Sequence, residues 1–129
     1  MKINSRIEDQ VRSVALSSTS KRRVGCLLFR KSRLVVSASN MEGKTHPFQS
    51  RLSCKAGEPY RRSLHAEIRA LLKAKEFCDT LVVGRLDKSG KFRLSKPCRV
   101  CQLAIAEYGV KNVYFSTNDG LWEALELPT

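Results

Sequence analysis

Ser63-Leu64-His65-Ala66-Glu67 and, some thirty residues on, Pro97-Cys98-Arg99-Val100-Cys101 are the two stretches around which the chain is organised. His65, Cys98 and Cys101 supply one imidazole and two thiols. That set suits zinc, whose catalytic sites take three protein ligands and leave a fourth position for water. Glu67 stands two residues past the histidine, where a proton-carrying carboxylate is wanted. On a regular helix such positions point roughly 200° apart. His65 and Glu67 therefore share a pocket only at a helix entrance, where Ser63 is placed to cap. Pro97 favours a second helix start at the cysteines. Two helix N-termini converge, and their dipoles favour thiolate over thiol.

The flanking sequence supplies a sheet for these helices. Residues 5–16 read as an amphipathic helix with a Ser5–Glu8 capping box and a stripe of Ile7, Val11, Val14 and Ala15. Val24 to Phe29 is apolar on both faces, as a central strand requires, and Leu34 to Ser39 should pair with it as a hairpin. Residues 40–62 show no periodicity and read as a long loop, the wall or lid of a site. The first motif opens a helix running to about Phe77. Thr80 to Leu86 is a strand, Phe92 to Leu94 a short return strand, Cys98 to Tyr108 a helix ended by Gly109, and Val110 to Ser116 a strand. Leu121, Trp122 and Leu125 read as a last short helix, with Trp122 an anchor beneath it. Strands alternating with helices after a hairpin imply a mixed sheet covered on both faces.

The 129 residues fit one domain, 1–129. No apolar run reaches the length of a membrane span, and the N-terminus lacks a signal-peptide core, so no membrane partner is expected. Five cysteines, an odd number, argue against a disulfide framework and for a reducing, cytoplasmic setting. Cys26 and Cys78 read as small buried hydrophobes. Lys and Arg number 24 against 12 acids, a formal charge of +12. Such a field attracts phosphates, though it also serves solubility. The bases end at Lys111, and the tail beyond carries only the acids Asp119, Glu123 and Glu126.

His-x-Glu followed by Pro-Cys-x-x-Cys is the mark of zinc nucleobase deaminases, in which the glutamate is the acid/base and not a ligand. Over roughly residues 21–117 the chain resembles the cytidine/deoxycytidylate deaminase superfamily. Val110 to Thr117 is most similar to the deoxycytidylate branch, and Pro97 to Gln102 is also similar to free cytidine deaminases. The resemblance implies a three-layer α/β/α sandwich with a mixed sheet of about four to five strands. It implies Zn2+ on His65, Cys98 and Cys101, with Glu67 catalytic. It implies hydrolytic conversion of cytosine to uracil in a free nucleotide such as deoxycytidylate, by a homo-oligomer. Asn40, at the end of the second strand, and the backbone N–H of Ala66 are the substrate contacts it suggests. The absence of any strand read after Ser116 departs from members with five.

Other readings stay open on the residues. The net charge favours a single-stranded DNA or RNA substrate, with cytosine or adenine as the base. A catalytically silent nucleic-acid-binding relative is the non-enzyme alternative. A closed zinc staple would need a fourth ligand, which His46 or Cys54 could supply; the same pair could hold a second, structural zinc. His46, beside Phe48, could instead stack on a base. Lys44 and Arg62, with Arg51, Lys55, Arg61 and Arg99, are candidates for phosphate recognition.

Overall fold

Strand alternation sets the architecture. In β1 (Arg23–Arg30) five consecutive residues are buried, and they face two different cores. Cys26 and Leu28 join one apolar cluster, Leu27 and Phe29 the other, as a period of two requires. The computed structural model describes residues 2–42, 46–55 and 64–127, with residues 53–55 described by backbone only. β1 pairs antiparallel with β2 (Arg33–Ser39) on one side and with β3 (Thr80–Leu86) on the other. β5 (Asn112–Ser116) runs parallel to β3 along Thr80–Val83, and the two-residue β4 (Phe92–Arg93) takes Arg85 and Leu86 farther along. β6 (Trp122–Leu125) pairs antiparallel with β5, giving the order β2-β1-β3-β5-β6 with β4 beside β3.

Helices cover both faces. α1 (Ser5–Leu16) packs Ile7, Val11 and Ala15 on Leu27, Phe29 and Val82. α2 (Pro47–Lys55), α3 (Ala66–Lys73) and α4 (Arg99–Glu107) belong to the opposite layer, where Leu52, Ile68, Leu71, Val100 and Ile105 meet Cys26, Leu28, Leu81, Val83 and Phe115. This is the three-layer mixed-sheet fold expected. Gly25 lets α1 approach the sheet: a Cβ there would lie 2.7 Å from Ala15 N and from Val11 O. Among the described residues, no helix is long and apolar enough to cross a membrane.

Four local expectations are corrected. The helix read over Leu121–Leu125 is strand β6: Trp122 serves the α1 cluster and Leu125 the opposite one. Their odd spacing puts them on opposite faces of a strand. Trp122 anchors against α1, its Nε1 donating to Glu8 at 3.1 Å and its ring edge-on to Phe92. The long loop over 40–62 contains α2, capped by His46, whose Nδ1 accepts from Phe48 N and whose carbonyl accepts from Ser50 N. The cap of α1 is Asn4, which accepts from Ile7 N at 2.9 Å, and not a Ser5–Glu8 box. The helix read to Phe77 stops at Lys73, because Ala74 is extended and Phe77 is exposed. Ser63, the cap read for it, lies outside the described residues.

Candidate active site

His65 and Cys98 are the N-caps of α3 and α4. Both have extended backbones, neither side chain caps its own helix, and the two side chains turn toward each other. Cys101 sits one turn inside α4 and is fully buried. The three donor atoms lie within 4.8 Å of one another. His65 Nδ1 is 3.1 Å from Cys101 Sγ and 3.5 Å from Cys98 Sγ. A zinc tetrahedron with bonds of about 2.0 Å to nitrogen and 2.3 Å to sulfur has N···S edges of roughly 3.6 Å. The cluster therefore fits zinc with small adjustments.

Several contacts fix the cluster. Gln49, buried on α2, accepts from His65 N at 3.0 Å. Met41 and Leu64 exchange two backbone hydrogen bonds, tying the end of β2 to the histidine segment. On the cysteine side, Ser95 Oγ meets Val83 O at 2.9 Å and Ser116 Oγ at 2.8 Å, and Gln102 Nε2 donates to Pro97 O. These bonds hold the approach to Cys98 against the centre of the sheet.

The protonation states follow from burial and contact. The Cys98 thiol is held down to about 3, chiefly because Cys101 donates to it, with His65 adding to the effect. Burial and that same donation push Cys101 well above the ordinary thiol range. Zinc held by both sulfurs would require both as thiolates, so binding would release the proton they share. Glu67, 6 % exposed on the first turn of α3, has its carboxyl pushed up by burial, against the pull of His65.

Above the cluster lies a cavity of about 220 Å³. His65, Ala66, Glu67 and Cys98 line it together with Asn40, Ser20, Arg22, Arg85, Leu94, Ser95 and Lys96. Of the residues singled out in the sequence, His65, Ala66, Glu67, Cys98, Cys101 and Asn40 are thus brought together. The Asn40 carboxamide oxygen accepts from Ser18 Oγ at 2.6 Å and Val24 N at 3.1 Å, and its Nδ2 donates to Arg22 O at 2.6 Å. It clamps the approach to β1 while facing the cavity. His46 is exposed, caps α2, and is not part of the cavity lining. Arg51 pairs with Glu107 at 3.1 Å and lies over Phe48; Arg99 is exposed. Lys44, Arg61 and Arg62, and the side chains of Cys54 and Lys55, lie outside the described residues.

Sequence reading missed Gln49, Arg22, Arg85 and Lys96. One signal was available for Arg85, a charge inside the otherwise apolar run Leu81 to Leu86. Lys96 was signalled only by its place beside Pro97-Cys98.

A mixed sheet between two helical layers, with one imidazole, two thiols and a buried carboxylate at converging helix starts, defines a candidate hydrolytic metal site. The chain belongs to the cytidine and deoxycytidylate deaminase zinc-binding family, whose model matches residues 2–117. Among solved structures it is similar to the dCMP deaminase of the cyanophage S-TIM5. The form in complex with dCMP and dUMP has a TM-score of 0.54 and 19% identity, covering 91% of this chain and 85% of that one. The apo form gives 0.53 and 21%, covering 92% and 90%. At those identities the likeness is one of fold. Among curated proteins, none matches the chain in sequence.

Proposed function

We propose that the protein is a zinc-dependent hydrolytic deaminase that converts cytosine to uracil in a free nucleotide such as deoxycytidylate. The observation that carries this reading is the buried Glu67 carboxylate sharing one cavity with His65 and Cys98, while Cys101 completes the donor set beneath. Zinc, when bound by His65, Cys98 and Cys101, lowers the pKa of a coordinated water toward about 7 and so supplies a nucleophile at neutral pH.

The rest of the work falls to the chain's own residues. Glu67 takes one proton from the water and gives it to the ring nitrogen as the hydroxide oxygen bonds to the amine-bearing carbon, then takes the proton of the new hydroxyl and gives it to the amine, whose C–N bond breaks to release ammonia. Its burial suits a carboxyl that must both accept and release protons near neutrality. Asn40 and Ala66 line the cavity, and in this reading Asn40 and the Ala66 N–H orient the base or sugar. The cavity is smaller than the roughly 300–1,000 Å³ that encloses a drug-sized ligand, which suits a single base inside with the sugar and phosphate at the mouth. The test is a panel of cytidine, cytidylate, deoxycytidylate, single-stranded DNA and tRNA with ammonia release measured. Turnover fastest on a free cytosine nucleotide supports the reading; turnover confined to a polynucleotide, or to adenine, overturns it.

A further inference from the structure

The rim of the cavity is built from cations that the chemistry at its floor does not use. Arg22 enters from the segment before β1, Arg85 from β3 and Lys96 from the segment before α4. Among the described residues Glu67 is the only acid in the lining, and it lies beside the metal donors. None of the three cations forms an ion pair among the described residues. Arg85 Nε is committed to Leu94 O at 3.0 Å, which fixes the guanidinium and leaves its two terminal nitrogens. Its nearby acid, Asp87, is taken by Arg93 Nε at 2.9 Å. Burial and the like charge of Arg22 both weigh against the Arg85 cation. Arg85 is half-buried while Arg22 and Lys96 are exposed, and an anion bound among the three offsets the like-charge repulsion and the burial of Arg85, which Asp87 only partly relieves.

We propose that Arg85, with Arg22 and Lys96, forms a phosphate-recognition end of the cavity that selects a ligand bearing a phosphate monoester over the free nucleoside. The monoester fits better than a polynucleotide diester. It carries about −1.5 to −2 near pH 7 and presents three acceptor oxygens, enough for three cations converging from different elements. Arg85 is held in place by its Leu94 bond, as bidentate recognition requires. The direction of the ligand follows: base toward Glu67 and His65, phosphate at the rim. Only this orientation of the base rests on the deaminase reading.

The test is calorimetric binding of deoxyuridylate, deoxyuridine and inorganic phosphate to the zinc-loaded full chain, beside a single-stranded oligodeoxyuridylate. These are unreactive in the proposed deamination, so binding is read independently of turnover. Deoxyuridylate should bind at least about tenfold more tightly than deoxyuridine, with inorganic phosphate competing. Arg85→Gln and Lys96→Gln should each remove roughly tenfold of that preference and leave deoxyuridine affinity in place, and Arg85→Lys should restore part of it. If Arg85→Gln loses its fold with the Leu94 bond, Lys96→Gln and Arg22→Gln carry the same comparison. No preference for the phosphorylated ligand, an equal loss on both ligands, or tighter binding of the oligonucleotide would overturn the proposal. A chain that shows the phosphate preference but deaminates no cytosine substrate supports this inference and refutes the proposed reaction; a deaminase without the preference does the reverse.

Discussion

Glu67→Gln removes the proton carrier while keeping the volume and polarity of the side chain. Among the described residues Glu67 is the only carboxylate in the cavity lining, and the remaining ionisable side chains there are the donors His65 and Cys98 and the rim cations. The proposed reaction asks the carboxylate for two deliveries, one to the ring nitrogen and one to the leaving amine. General acid–base catalysis contributes about 10² to 10⁴ for a transfer. Taking about 10² for each, the loss is about 10⁴ in kcat, or roughly 5.5 kcal/mol of barrier. The fold should not suffer, because a neutral amide replaces a carboxylate that is almost wholly buried. The assay is ammonia release on the best substrate of the panel, with zinc content and thermal melting measured on the same preparation. The variant should hold wild-type zinc and melt no lower than wild type. Retention of more than about a tenth of wild-type kcat would refute the role given to Glu67.

Three further predictions concern the scaffold. Gly25→Ala places a Cβ 2.7 Å from the backbone of α1, so the helix must lift and stability should fall by about 1–3 kcal/mol in urea titration; an unchanged midpoint contradicts the close approach. Ser32, in the β1–β2 turn, has φ +66°, so Ser32→Gly should gain roughly 0.5 kcal/mol in the same assay, and a loss of stability would contradict the turn geometry. Asp79 accepts from Lys31 N at 2.8 Å and Thr80 Oγ1 at 2.7 Å, and the Lys31 bond in particular lowers its carboxyl pKa. Its folded value lies below its unfolded value, so the stabilisation is complete above about pH 4 and is lost as the pH falls through the depressed pKa. Asp79→Asn should therefore cost about 1 kcal/mol at neutral pH, with the gap closing in acid; a gap independent of pH would rule this out.

The parts of the fold that could be read from the sequence are those in which a single periodicity serves a single purpose. β1, β2, β3, α1 and α4 each present an unbroken apolar pattern to the cores. β6 misled because its apolar residues divide between two layers: Trp122 packs toward α1 and Leu125 away from it, a spacing that also suits a helical stripe. α2 escaped because it is short and buries an amide, Gln49, beside Leu52; a buried polar residue in a polar segment looks like loop. The candidate metal donors were legible because each half of the set is local, a His-x-Glu and a Cys-x-x-Cys. The rim cations were not, because Arg22, Arg85 and Lys96 come from three segments that only the sheet brings together.

The proposed activity requires three protein donors to hold a zinc ion with one position left for water. Zinc analysis with X-ray absorption on the purified full chain tests this most directly. One zinc per chain, with two sulfurs at about 2.3 Å and two nitrogen or oxygen neighbours at about 2.0 Å, one of them exchangeable solvent, is the predicted result. A sphere closed by a fourth protein donor, or a chain that takes up no zinc, would contradict it.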